Sequence, residues 1–278
     1  MKVKLSYFDI EGTAEPVRLA FILAGIPFED DRIKFTQWPE FKKTTPYGQV
    51  PVLQGRSTSV CPSSLVRRGD RTREIQWNDL GTVTRRASLA HHSYFLTTSA
   101  NLACSPSSSL AVDDEPLKTQ SPAMMRWAAS VNPSKNLYPA DKLYQIEEAS
   151  GLLGDMKGSW SPCLYISMKP SKFGYPSDYP KTPEGAAKVE SMRTEWISNE
   201  LPQYLGYISD MIDKNGGTWL AGGDSPTIAD CEAIPAIRNY MRGHIDHVPS
   251  DCVAKASPKV AAYVERFCAL KEIAGRYA

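Results

Sequence analysis

The sequence predicts a mixed α/β domain at residues 1–135 followed by an all-α domain at 141–278. Three observations carry that expectation. Residues 1–54 switch between strand-like alternation and helical periods in β-α-β-α-β order. A Val50-Pro51-Val52 step opens the last of these strands, and beyond Asp141 the periods are helical. The interval 55–111 fits neither domain.

In chain order, Lys4 to Ile10 alternates and carries Tyr7 and Phe8, which reads as a strand. Gly12-Thr13 makes a turn, and Ala14 to Ala24 a helix, with Pro16 in the first turn and Gly25 as the stop. Phe28 to Phe35 reads as a second strand, Trp38 to Lys43 as a short helical or irregular piece, and Val50 to Leu53 as a third strand. This order is the front half of a thioredoxin-like unit. Proline lacks an N–H for a sheet ladder, so Pro51 belongs at a strand start, and its preceding amide is a candidate for the cis form. Such a turn leaves the main-chain polar groups of Val50 free to bind an extended peptide as an added strand would.

Residues 55–111 hold seven arginines, no lysine and eleven serines, whereas the rest holds eight arginines and all seventeen lysines. No helical or strand period runs through them, which suggests disorder or a foreign insert. Joining Gln54 to Val112 restores a two-strand hairpin through Val112-Asp113-Asp114-Glu115-Pro116, with a fourth strand ending at Gln120 and a helix beyond. About 57 residues correspond to roughly 171 nucleotides. Codons of GT…AG type at the two ends are permitted by Gly55 and Ala111. A retained intron or gene-model error is one reading; a real disordered surface insertion is the other. Sequencing the mature transcript separates them.

In the second domain, Leu143 to Met156 is an amphipathic run, and Gly158 to Pro183, rich in Pro, Tyr and Ser, reads as a connection. Ala186 to Ile212 reads as helix interrupted near Pro202, with further helices at Asp224 to Met241 and Val260 to Leu270. A formal net charge of +1 argues against a general nucleic-acid surface. No apolar run approaches the ~20 residues of a membrane span, and the N-terminal stretch lacks a signal-peptide core. The expectation is a cytoplasmic protein. Its six cysteines, without CxxC or metal-finger spacing, read as free thiols. His91-His92 and His244-x-x-His247 lack further ligands, so no metal site is expected. Arg85-Arg86-Ala87-Ser88 has the look of a basic-directed kinase site but falls within the anomalous interval.

Five segments in order resemble the cytosolic glutathione S-transferases, tyrosine-type and sigma-like. They are Lys4-Leu5-Ser6-Tyr7-Phe8, Trp38-Pro39-Glu40-Phe41-Lys42, Gln49-Val50-Pro51-Val52, Gln120-Ser121 and Ser225-Pro226-Thr227-Ile228-Ala229-Asp230. The resemblance covers 1–54 and 112–278. It implies conjugation of reduced glutathione, a co-substrate rather than a tightly bound cofactor, to hydrophobic electrophiles in detoxification. A thiol of pKa near ~8.5 is mostly protonated at neutral pH. A phenol hydrogen bond stabilises its thiolate, and lowering the pKa by about two is worth roughly 2.7 kcal/mol. The resemblance gives that role to Tyr7. Ser6 competes, but adjacent strand residues face opposite sides, so both cannot reach one sulfur.

The same resemblance puts the glycine carboxylate of glutathione on Trp38 and Lys42, its cysteinyl part on Gln49, Val50 and Pro51, and its γ-glutamyl end on Gln120 and Ser121. Donors only on Trp and Lys suit a carboxylate, and a helix start suits an anion. Packed or solvated surface roles are the alternative for each. Glu147 stands where relatives place an acid that reaches the partner subunit's ligand. Ile10 and Thr13, together with faces of the second domain's helices, would line the electrophile pocket. The family often carries Arg-Gly-Arg-Ala-Glu where this chain has Glu11-Gly12-Thr13-Ala14-Glu15, so Thr13 replaces an arginine. Thr227 and Asp230 have capping-box spacing, a structural role. The resemblance also implies a homodimer. Isomerisation or peroxide reduction with the same thiolate, or a non-enzymatic binding role on this scaffold, are the rival functions.

Overall fold

A computed structural model describes residues 3–55 and 116–277, which belong to one compact unit of residues 1–57 and 111–278. The expected disorder of the anomalous interval, the turn at 112–115, Cys61, Cys104, His91-His92 and the kinase-like motif lie outside the described residues, Gly55 excepted.

Strands β1 (Val3–Phe8), β2 (Glu29–Ile33) and β3 (Val52–Gly55) form a sheet of order β2-β1-β3, with β1 parallel to β2 and antiparallel to β3. Between β1 and β2 runs α1 (Glu15–Ala24), with Pro16 in its first turn and Gly25 ending it in the left-handed conformation at φ 65°. A short helix, α2 (Trp38–Thr44), precedes the cis Val50-Pro51 bond. The expected fourth strand is, among the described residues, a single bridge. Leu53 and Lys118 exchange N–H···O bonds of 2.8 Å each, and by Gln120 the chain has turned at φ 72° into a helix.

That helix is α3 (Ser121–Val131). It packs mainly against α1, and beyond it lie α4 (Leu143–Met168), α5 (Pro183–Lys214), α6 (Ile228–Met241), α7 (Cys252–Ala256) and α8 (Pro258–Cys268). Two expectations are corrected. The supposed connection from Gly158 is helix as far as Met168, passing Pro162, and α5 is continuous through Pro202. Both prolines remove a backbone bond, but burial outweighs that loss. Ile146, Ala149, Leu153, Met156, Trp160, Cys163 and Ile166 form one buried face along α4. Trp160 packs on Trp196 of α5 and Tyr240 of α6, with centroids 4.8 and 5.4 Å away. The remaining boundaries shift by a few residues at element ends.

Asp230, fully buried, accepts the Thr227 N–H at 2.7 Å, the Leu220 N–H at 3.0 Å and the Tyr263 hydroxyl at 2.8 Å. It thus ties the start of α6 to the preceding loop and to α8. Burial pushes the Cys163 thiol up to about 11 and the Cys231 thiol well above its ordinary value, so neither is a reactive thiolate. No helix among the described residues is long and apolar enough to cross a membrane.

Candidate functional site

The hydroxyl of Tyr7 is set by the turn that follows β1. Gly12 has φ 45°, and a Cβ there would lie 2.5 Å from the Tyr7 oxygen, so only glycine lets the loop pass this close. The next residue then aims two donors at that oxygen: the Thr13 N–H and the Thr13 hydroxyl, each at 3.2 Å. Ser6, on the opposite face of the strand, donates to Asp31 of β2 at 2.6 Å and does not line the cavity beside Tyr7.

The loop is held from beneath by Arg18, which is fully buried. Its guanidinium donates to the Ile10 and Glu11 carbonyls at 3.0 and 3.2 Å, pairs with Glu15 and Asp30, and lies 5.8 Å from the Tyr7 ring centroid. From the other side, Arg276 and Tyr277 both donate to the buried Glu15 carboxylate. Burial pushes that carboxyl up, but the Arg276 and Tyr277 hydrogen bonds and the Arg18 charge leave it below its ordinary value. Glu11 is held by Arg238 at 2.7 Å and Arg242 at 3.3 Å. The segment Ile10–Glu15 is therefore pinned by charge on two sides.

Tyr7, Ile10, Thr13 and Ser121 meet at one cavity of about 510 Å³. Its other walls come from α4, through Trp160, Leu164 and Tyr165, and from α6, through Pro235, Ala236 and Tyr240. The sequence pointed to faces of the second domain's helices here without naming these residues. On α6 the lining positions 232, 235, 236, 239 and 240 repeat at three- and four-residue intervals, so one helical face was legible there. Which wall it would meet was not.

The other expected residues are not in its lining. Trp38 packs edge-on against Phe8, centroids 5.4 Å apart, while Lys42 and Gln49 are exposed on the same stretch. Among the described residues, the N–H and C=O of Val50 have no hydrogen-bond partner. Gln120 adopts φ 72°, rare for a residue other than glycine, and its side chain does not cap α3, so its amide stays free of the helix it precedes. Glu147 is engaged within its own chain, by Arg126 through a bidentate pair and by the Tyr138 hydroxyl at 2.6 Å. The Arg126 and Tyr138 hydrogen bonds hold its carboxyl below its ordinary value. His247 faces Glu190 at 3.8 Å, and no group of three or more His, Cys, Asp or Glu suited to a metal ion is found among the described residues.

A sheet with an apolar cavity beside a strand-borne tyrosine, backed by a helical layer, defines a class. A model of the glutathione S-transferase N-terminal domain matches residues 3–66, and one of the C-terminal domain matches residues 178–275. The chain belongs to the glutathione S-transferase family. It is similar to glutathione S-transferase 1 of Ascaris suum, 45% identical over 65 residues, or 23% of this chain and 32% of that protein. The hematopoietic prostaglandin D synthase of Gallus gallus is 47% identical over 65 residues, 23% of this chain and 33% of its own length. The chain thus aligns with about a third of the length of these curated relatives. Among solved structures, the sigma class transferase of Fasciola hepatica has a TM-score of 0.61 at 21% identity, covering 99% of this chain and 94% of its own. Monomeric Na-GST-3 of the hookworm Necator americanus has a TM-score of 0.60 at 17% identity, covering 99% and 95%.

Proposed function

We propose that this chain is a glutathione transferase that joins the thiolate of reduced glutathione to hydrophobic electrophiles, with Tyr7 stabilising the thiolate. One observation carries the reading: Tyr7 lines an apolar cavity, and its oxygen already accepts two hydrogen bonds from Thr13. With its acceptor sites taken, the phenol is left as a donor, and a sulfur in front of it would receive that proton's hydrogen bond. Glutathione would lie along β3 and the start of α3. Val50 would offer its free main-chain groups to the cysteinyl part, with Gln49 and Pro51 beside it. Gln120, Ser121 and the α3 N-terminus would take the γ-glutamyl carboxylate, and Trp38 and Lys42 the glycine carboxylate. The electrophile would fill the cavity past Ile10 and Thr13. No tightly bound cofactor enters this scheme.

The test is a turnover assay with a generic aromatic electrophile. Raising the thiol pKa by about two, back to about 8.5, lowers the thiolate fraction at pH 7 by about 25-fold, and the rate with it. Tyr7→Phe is expected to lose about that much, and Ser6→Ala little. A rate lost only in the serine variant reverses the assignment.

The similarity to prostaglandin D synthases of chicken and human favours, as a second reading, glutathione-dependent isomerisation in the same cavity. Glutathione binding without turnover of conjugation or isomerisation substrates would instead mark a non-enzymatic binding protein. A homodimer in the cytoplasm is part of the proposal, with sedimentation velocity as its measurement. Glu147 would then serve its own subunit's Arg126 before any ligand across an interface.

A further inference from the structure

We infer that the cavity selects electrophiles with an anionic end, such as a carboxylate or sulfonate, through Lys169 and Lys172 at its rim. The inference rests on the reading that this cavity takes the electrophile. Its walls are apolar, and both carboxylates in the lining are already neutralised. Glu11 is paired with Arg238 and Arg242. Glu232 is paired with Lys157 at 2.5 Å and accepts the Ser150 hydroxyl at 2.8 Å.

The rim is different. Tyr165 and Met168 line the cavity at the C-terminal end of α4, and Met168 is largely exposed. Over the Tyr165 ring lie two ammonium groups, Lys169 Nζ at 5.7 Å and Lys172 Nζ at 5.4 Å from the centroid. Ion pairs of lysine among the described residues involve Lys4, Lys43, Lys157, Lys255 and Lys259, but neither of these two. Two positive charges with no ion-pair partner among the described residues therefore share one aromatic of the lining of a low-dielectric cavity. Such an arrangement concentrates anions whose apolar body can enter behind them. A neutral electrophile gains only the apolar wall.

The experiment uses two fluorescent probes that differ by one sulfonate, anilinonaphthalene sulfonate and neutral N-phenylnaphthylamine, titrated into the full chain and into its Lys169→Met/Lys172→Met variant. Both lysines are exposed, so the double variant keeps its core. The anionic probe should bind the variant about fivefold more weakly at low salt, and the neutral probe equally well. Salt should erase the wild-type preference, as expected of exposed charges. Equal affinity of the anionic probe for both proteins, or a parallel loss for both probes, overturns the inference. Binding does not depend on turnover, so conjugation of a neutral aromatic electrophile, measured alongside, reports on the transferase reading separately.

Discussion

Two donors from one residue converge on the Tyr7 oxygen, and they differ in what mutation can remove. The Thr13 N–H belongs to the backbone, held by the Gly12 turn and by Arg18 beneath it, whereas the Thr13 hydroxyl is a side-chain group. A neutral hydrogen bond of this kind contributes about 0.5–1.5 kcal/mol. Thr13→Val, nearly equal in shape, should therefore raise the pH midpoint of kcat/KM by roughly half to one pH unit, and Thr13→Ser should restore it. An unchanged midpoint in the valine variant would show that the hydroxyl does not act through Tyr7. The sequence made Tyr7 and Ser6 rivals and could separate them only by strand alternation; the Asp31 partner of Ser6 supplies the physical reason for two faces. Thr13 was legible as a departure from a family arginine, but its hydroxyl's contact with Tyr7 was not. That contact depends on a positive-φ glycine bringing residue 13 back over residue 7.

Helix ends marked by caps were easier to read than helix interiors that contain proline. Thr227 and Asp230 announced the start of α6, and Gly25 the end of α1, because each signal is local chemistry. The Pro, Tyr and Ser content beyond Gly158 suggested a connection, and Pro202 an interruption, for the same local reason, and there tertiary packing won. The three- and four-residue spacing of Trp160, Cys163 and Ile166 continues the buried face of α4 past Gly158, so periodicity held the better clue. Asp230 does more than cap. Replacing it with alanine leaves two buried N–H groups and the Tyr263 hydroxyl without their acceptor, at about 1–3 kcal/mol for each such group. Thr227→Ala should cost only about 1 kcal/mol. Urea unfolding should thus show Asp230→Ala destabilised by at least about 3 kcal/mol, well beyond its neighbour. Equal losses would reduce Asp230 to a helix cap alone.

At the scale of the whole molecule, β3 and the start of α3 are joined by a connection whose two ends are already paired. Leu53 and Lys118 face each other through two 2.8 Å hydrogen bonds, the closure of an antiparallel hairpin, although 64 residues separate them. Removing 55–111 leaves seven between the same two partners, enough for Gln54 and Val112 to return through Asp113-Asp114-Glu115 to Pro116 and Leu117. Chain-closure entropy grows as about (3/2)RT ln n, so the shorter connection should stabilise the pairing by about 2 kcal/mol. The change should be felt first through β3, next to Val50, where the pairing closed by this connection lies. The deletion variant is therefore expected to unfold at higher urea and to bind immobilised glutathione at least as tightly as the full chain. A lower midpoint, or loss of glutathione binding with the fold intact, would show that residues 55–111 contribute to the site instead of interrupting a hairpin beside it.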